Sequence, residues 1–347
     1  MKRSVYKSMN EIKGDVEKRY ERYTARKFGI LFFLLASLIV LAILSIPLGA
    51  AALSIRDVIY SIFFKGLNLH ADIIVWQLRL PRILMAIVCG MGLALSGAVM
   101  QGVLHNPLAS PFTLGVSSAS AFGGMLAMLF GVGMGLNIGV AFLFGMLVLL
   151  LMYWISRRRG MTPETMILCG VCLMYLFLML ASLLSGLGGL TSGVLFLTGN
   201  LVSSNWESVI ITVLFLAITF PLLIWYARDL NAMVLGDDAA MSVGINVRKT
   251  RIICMVLATL MVSAIVCFTG VIGFVCLISP FIARMVMGND HRFIFPCSAL
   301  IGSLLLLGTD TIARTVIQPI EIPVGMIMTI IGVPFILYLA LKRGAYE

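Results

Sequence analysis

Apolar runs of about twenty residues recur from residue 28 to residue 341, and they constrain this chain more than any motif in it. A bilayer core of roughly 30 Å is crossed by about 20 apolar residues in helical form. On that ruler the sequence predicts about ten spans: 28–48, 79–103, 113–131, 136–156, 164–186, 207–226, 251–269, 273–287, 294–316 and 323–341. Charged residues make up only 12% of the chain, against roughly 25% in a soluble domain. The expected fold class is therefore an all-α integral membrane protein. Two stretches are irregular. The span at 273–287 is short and holds Pro280 and Arg284, so it is expected to tilt, break or line a cavity. The run LTSGVLFLTGN at 190–200 is too short to cross and reads as a re-entrant or interfacial helix.

Residues 1–27 form a basic polar tail, and 28–347 form the membrane domain. The tail shows no cleavable signal pattern and is expected to be solvated. It carries nine Lys and Arg against four acids. With this tail and both termini on the cytoplasmic side, 20 basic residues fall inside and five outside, as the positive-inside bias demands. The five are Arg56, Lys65, Arg79, Arg82 and Arg314. Arg79 and Arg82 stand at the outer mouth of the second span, with Pro81 suited to the first helical turn. Snorkelling to lipid phosphates would explain them. So would a cationic dock for an acidic partner.

The loop LGDDAAMSVGINVRKTR at 235–251 is polar yet patterned. Asp237 and Asp238 suit the start of a short helix, Ala239 to Met241 favour its continuation, and Gly244 is placed to end it. A second turn from Asn246 leads into the seventh span. A compact helix there suggests a surface for a soluble partner. Small residues spaced by four, Gly90–Ala94–Ala98 and Gly115–Ala119–Gly123, predict tight helix contacts.

Several chemistries lack their residues. No G-x-x-x-x-G-K-[ST] loop is present, so ATP is not bound in the P-loop manner. His70, His105 and His291 are far apart in sequence and lie in expected loops. The seven cysteines, including Cys169 and Cys172 at CxxC spacing, read as small buried hydrophobes. Asp310 is expected to pair with Arg314 four residues on, which argues against a proton relay. An ion-coupled secondary transporter of a small organic solute is the alternative reading, and it would need such an acid.

The segments RLPR, LALSGAVMQGVLHNPLASPFTLGVSSASAFG, LGDDAAMSVG, GFVCLISPFIAR, NDHRFIFPCSAL and TDTIAR…EIPVGMIMTIIGVPFILYL resemble the FecCD/BtuC permeases in collinear order over residues 50–343. These are membrane subunits of type II ABC importers for iron–siderophore complexes, haem and cobalamin. The resemblance implies a BtuC-like permease of about ten spans in the cytoplasmic (inner) membrane of a prokaryote, paired with a second copy. It implies no cofactor bound directly, an ABC ATPase dimer below that uses ATP, and an extracytoplasmic substrate-binding protein above. By the same likeness Arg79, Arg82 and Arg314 would dock the binding protein. Asp237, Asp238, Ala239, Met241 and Gly244 would form the helix that couples to the ATPase. Asn106 and Leu108 would belong to one cytoplasmic gate, and Thr162 and Thr165 to a second. The family's PHIAR reads Pro280-Phe281-Ile282-Ala283-Arg284 here. A ferric siderophore is the expected cargo, with haem or cobalamin next.

Overall fold

The computed structural model describes residues 2–49, 53–64, 69–131, 133–158, 163–187, 197–317 and 321–343; these form helices and connections, with no strand among them. Helix α1 (Lys2–Ser45) runs unbroken through residue 27, so tail and first span share one axis. It packs on α12 (His291–Thr315). Lys27 is buried there, its Nζ 4.2 Å from the Tyr23 ring and 4.4 Å from the Phe293 ring. Its cation thus faces aromatic quadrupoles at the inner end of the tail. A short capped helix, α2 (Ile55–Phe63), precedes the central helix α3 (Leu69–Leu104). The sequence placed the second span from residue 79. The helix instead begins at Leu69 and contains a π-helical stretch, Ile74–Arg79.

From Leu80 onward α3 is buried almost all round. It packs against α7 (Trp206–Trp225), α10 (Val247–Thr269), α11 (Val275–Met287) and α12. Small residues make this possible. A Cβ on Gly90 would collide with the backbone of Gly302, and one on Gly97 with the carbonyl of Cys276. These contacts bear out the close approach expected along Gly90–Ala94–Ala98, whose Ala94 Cβ lies against Gly302. The second small-residue face differs in part. Gly115 is left-handed (φ 78°) and caps α4 (Val116–Leu129) rather than lying within it. Gly123 does pack closely, against Val140 and Ala141 of α5 (Met134–Arg158).

Each of the ten predicted spans falls on a helix, but among the described residues seven helices are long and apolar enough to cross a membrane alone. The other three are α4, α11 and the apolar part of α13 (Val324–Arg343). At 13 residues, α11 extends only about 20 Å. The buried irregular segment Gly270–Gly273 precedes it, and the largely buried turns at 109–115 precede α4. Non-helical backbone at membrane depth is tolerated where protein covers it. There, Ser110 and Thr113 supply the missing partners: each backbone N–H donates to the other's hydroxyl, at 3.0 and 3.1 Å.

The expected helix within 235–251 is present as α9 (Asp237–Ser242), with Gly244 at φ 87° just past its end. Sequence reading did not resolve α8 (Ala227–Met233), which follows α7 and packs on α9. The seventh span starts earlier than predicted, at Val247. The Asn246 side chain caps it by accepting from the Lys249 N–H at 3.0 Å. The run 190–200 falls mainly outside the described residues. Five cysteines are buried as expected, but Cys172 is exposed on α6 (Pro163–Leu187), and Cys169 is half-buried.

Candidate functional site

The residues singled out by sequence gather at the two opposite ends of α3. At its start, Pro81 occupies the first turn and Arg79 and Arg82 flank it. Arg314, one residue from the end of α12, meets them. Together with Gly49, Leu78, Val202 and Glu321 they line a cavity of about 270 Å³. Sequence reading put these arginines at an open mouth. The structure buries them instead: Arg79, Arg82 and Arg314 are 5%, 8% and 4% exposed.

Burial at that level demands partners, because an isolated charge loses its hydration. Arg79 Nη1 donates to the Ile46 carbonyl at 2.5 Å, at the end of α1. Arg82 Nε donates to Asp310 Oδ1 at 2.8 Å and its Nη1 to Glu321 Oε2 at 2.6 Å. Arg314 Nε lies 3.0 Å from Asp310 Oδ2, and its Nη1 donates to the Leu48 carbonyl at 3.3 Å. Asp310 itself has no solvent exposure. Its expected pairing with Arg314 is present, and Arg82 adds a second cation. Three arginines against two acids leave the cluster net positive. Neither snorkelling nor a bare cationic patch describes it. Glu321 was not singled out from sequence, because its partner lies 239 positions away.

At the other end of α3 the HNPLA loop begins with His105 in a left-handed conformation (φ 50°). Asn106 holds the turn: its Oδ1 accepts from the Leu108 N–H at 2.8 Å, and its carbonyl from Ala109 at 3.1 Å. Leu108 is exposed. Thr165 lies in the first turn of α6, while Thr162 lies outside the described residues. Phe281 packs edge-on against Phe335 with centroids 6.5 Å apart. It ties α11 to α13 by apolar contact.

His105 and His291, distant in sequence, line one cavity of about 300 Å³ with Gln101, Asn106, Arg284 and Asn289. His291 is the first residue of α12, not a loop residue. Asn231 of α8 orders this corner. Its Nδ2 donates to Asp290 at 2.7 Å, so its Oδ1 faces His291 and accepts from both the backbone N–H and Nδ1, each at 2.7 Å. Asp290 also takes Arg292 at 2.7 Å. Burial alone would raise the Asp290 pKa, but hydrogen bonds from Arg292 and Asn231 outweigh it and hold the pKa at about 2. Burial lowers the His105 pKa, opposed by nearby Asp237 and reinforced by Arg251.

α9 sits beside this corner. Arg251 Nη2 bonds both Asp237 oxygens at 3.1 Å, and Ala240 anchors the helix in the core. Asp238, Met241, Val243 and Gly244 are exposed, and Ala239 is half-buried. Exposed Leu235 extends the apolar patch. A helix clasped on one side and apolar on the other has the form of a docking surface.

The fold and these two ends define a multi-pass membrane transport subunit. Residues 37–342 match the FecCD transport family, and the chain belongs to that family. It is 34% identical to the Fe(3+)-citrate import system permease protein YfmE of Bacillus subtilis, over 93% of this chain and 97% of that one. It is 33% identical to the hemin transport system permease protein HmuU of Yersinia pestis, over 90% and 96%. A solved structure described as "An inward-facing conformation of a putative metal-chelate type ABC transporter" aligns with TM-score 0.78 and 33% identity, covering 90% of this chain and 99% of that chain. The chain is thus an ABC-importer permease with a BtuC-like fold, and ATP hydrolysis belongs to separate ATPase subunits.

Proposed function

We propose that this chain carries a ferric siderophore into the cytoplasm across the inner membrane of a prokaryote, as one of two identical permeases. An ABC ATPase dimer would press on α9, and a substrate-binding protein would seat over the Arg79–Arg82–Arg314 cavity. Asn106 and Leu108, with Thr162 and Thr165, would close the cytoplasmic side. The single observation carrying the cargo is the family match, together with relatives named for iron chelates: the Fe(3+)-citrate permease, and the iron(3+)-hydroxamate permease FhuB of Bacillus subtilis at 34% identity. The site supports the engine's placement elsewhere. Asp310, the acid an ion-coupled carrier would need, is engaged by two arginines.

Nucleotide-driven closure of the ATPases would shift the population between access states, which requires that they contact α9 differently in each. The test is uptake of labelled ferric siderophores, haem and cobalamin by cells with and without this chain. Loss of siderophore uptake on ATP depletion, but not on collapse of the ion gradient, is expected. Ionophore-sensitive uptake indifferent to ATP would sink the reading. Loss of haem or cobalamin uptake alone would reassign the cargo.

A further inference from the structure

A cleft of about 460 Å³ lies between α5, α6, α9 and α10 and adjoins the clasped side of α9. Its walls are two helical stripes. Met146, Leu149 and Tyr153 recur at helical spacing on α5, facing Ile252 and Met255 on α10, and Met241 of α9 closes one side. Leu150, also in the lining, is 60% exposed, so the cleft opens onto an exposed apolar face. The chemistry changes along its length. Seven residues of α10, about 10 Å of helix, separate apolar Met255 from Arg248. At that end stand Arg248, Arg251 and Asp237.

The two arginines are not equivalent. Arg251 shares one amino group with Asp237, yet its buried Nε has no hydrogen-bond partner. Arg248 is exposed and forms no ion pair among the described residues. Both lie in the first turns of α10, which has no acid there. The positive end of the helix dipole disfavours cations in that position. An anion held between them would relieve the dipole repulsion. A soluble anion has no use for a deep apolar wall, and a zwitterionic lipid brings its own cation to the arginines.

We propose that this cleft seats one anionic phospholipid, its phosphate on Arg248 and Arg251 and an acyl chain along Met146, Leu149 and Met255. The placement suits the inner leaflet, where anionic headgroups and juxtamembrane basic residues meet. The phosphate reaches Arg251 beside Asp237, the first residue of α9. Lipid would therefore compete for the clasp that fixes α9, a consequence resting on the reading of α9 as the coupling helix.

Native mass spectrometry of the purified full-length chain tests the seat without ATPase, binding protein or cargo, so it can fail while the transport reading stands, and the reverse. The chain is equilibrated with equal phosphatidylglycerol and phosphatidylcholine. One phosphatidylglycerol per chain, retained about tenfold over phosphatidylcholine, is expected. Arg248→Gln should cut that preference at least about fivefold. Because Arg248 is exposed and unpaired, thermal stability should hold. Met255→Trp should fill the cleft and abolish retention of either lipid. Equal retention of both lipids by the wild type would overturn the proposal, as would undiminished preference in Arg248→Gln. Lipid retained by a folded Met255→Trp would overturn the acyl seat, and displacement by glycerol phosphate alone would reduce the site to a soluble-anion site.

Discussion

Asp310 shows how one side chain decides what its neighbours can do. It has no solvent exposure, and the guanidinium groups of Arg82 and Arg314 on either side stand in for its lost hydration. Removing one member of such a buried group strands the remaining charges and costs about 3–5 kcal/mol. Asp310→Asn should therefore lower the melting temperature of the detergent-solubilised protein markedly, and an unchanged melting curve would show that the cluster is not structural. Glu321 is different, being 32% exposed on its side chain. Solvent screens its partly exposed carboxylate, so its pair with buried Arg82 is worth less than the Asp310 pair, about 1 kcal/mol. Glu321→Gln should leave the fold intact and free Arg82 for an external carboxylate, tightening binding-protein affinity by up to about fivefold. Weaker binding would mean that Glu321 belongs to the dock itself. Direct reversal of Arg79 or Arg314 is a poorer probe, because both hold carbonyls of the α1 end.

At the scale of elements, α9 was legible before any coordinate. Asp237 and Asp238 announce its start, and Gly244 its end, through local rules of dipole and backbone conformation. Which of its faces is free was not legible, since that depends on Arg251 reaching back to Asp237 and on Ala240 entering the core. Substituting the free face is the clean test of coupling. Asp238→Lys with Val243→Asp changes only exposed positions, where stability effects stay within about ±0.5 kcal/mol. Transport and permease-stimulated ATP hydrolysis should fall to background while the membrane protein remains folded. Normal stimulation would remove α9 from the coupling path. The shortness of α11 was legible in the same way, from Pro280 and Arg284 within a brief apolar run, whereas the turns that shorten α4 were not, because buried turns are as apolar as helix.

At the scale of the whole molecule, α3 is the axis against which α7, α10, α11 and α12 pack. Its glycines set how near they come. Gly97→Leu would drive a side chain into the Cys276 backbone and separate α3 from α11, costing at least about 1–3 kcal/mol. Gly139, with nothing within 4 Å of its missing Cβ, should accept leucine without loss. Thermal stability of the two variants in the same detergent measures the difference, and equal values would contradict the packing. The sequence by itself determined the all-helical membrane class, the places of the ten apolar helices, the small-residue seam at Gly90–Ala98 and the helix at 237, because each follows from composition and spacing within one segment. Only the tertiary structure decided that Arg79, Arg82 and Arg314 are buried, that Arg82 joins Asp310 and Glu321, that Asn231 orients His291, and that α5 and α10 leave a cleft ending in two arginines. Those facts join residues tens to hundreds of positions apart, and charge pairing across such distances leaves no periodicity in a chain to read.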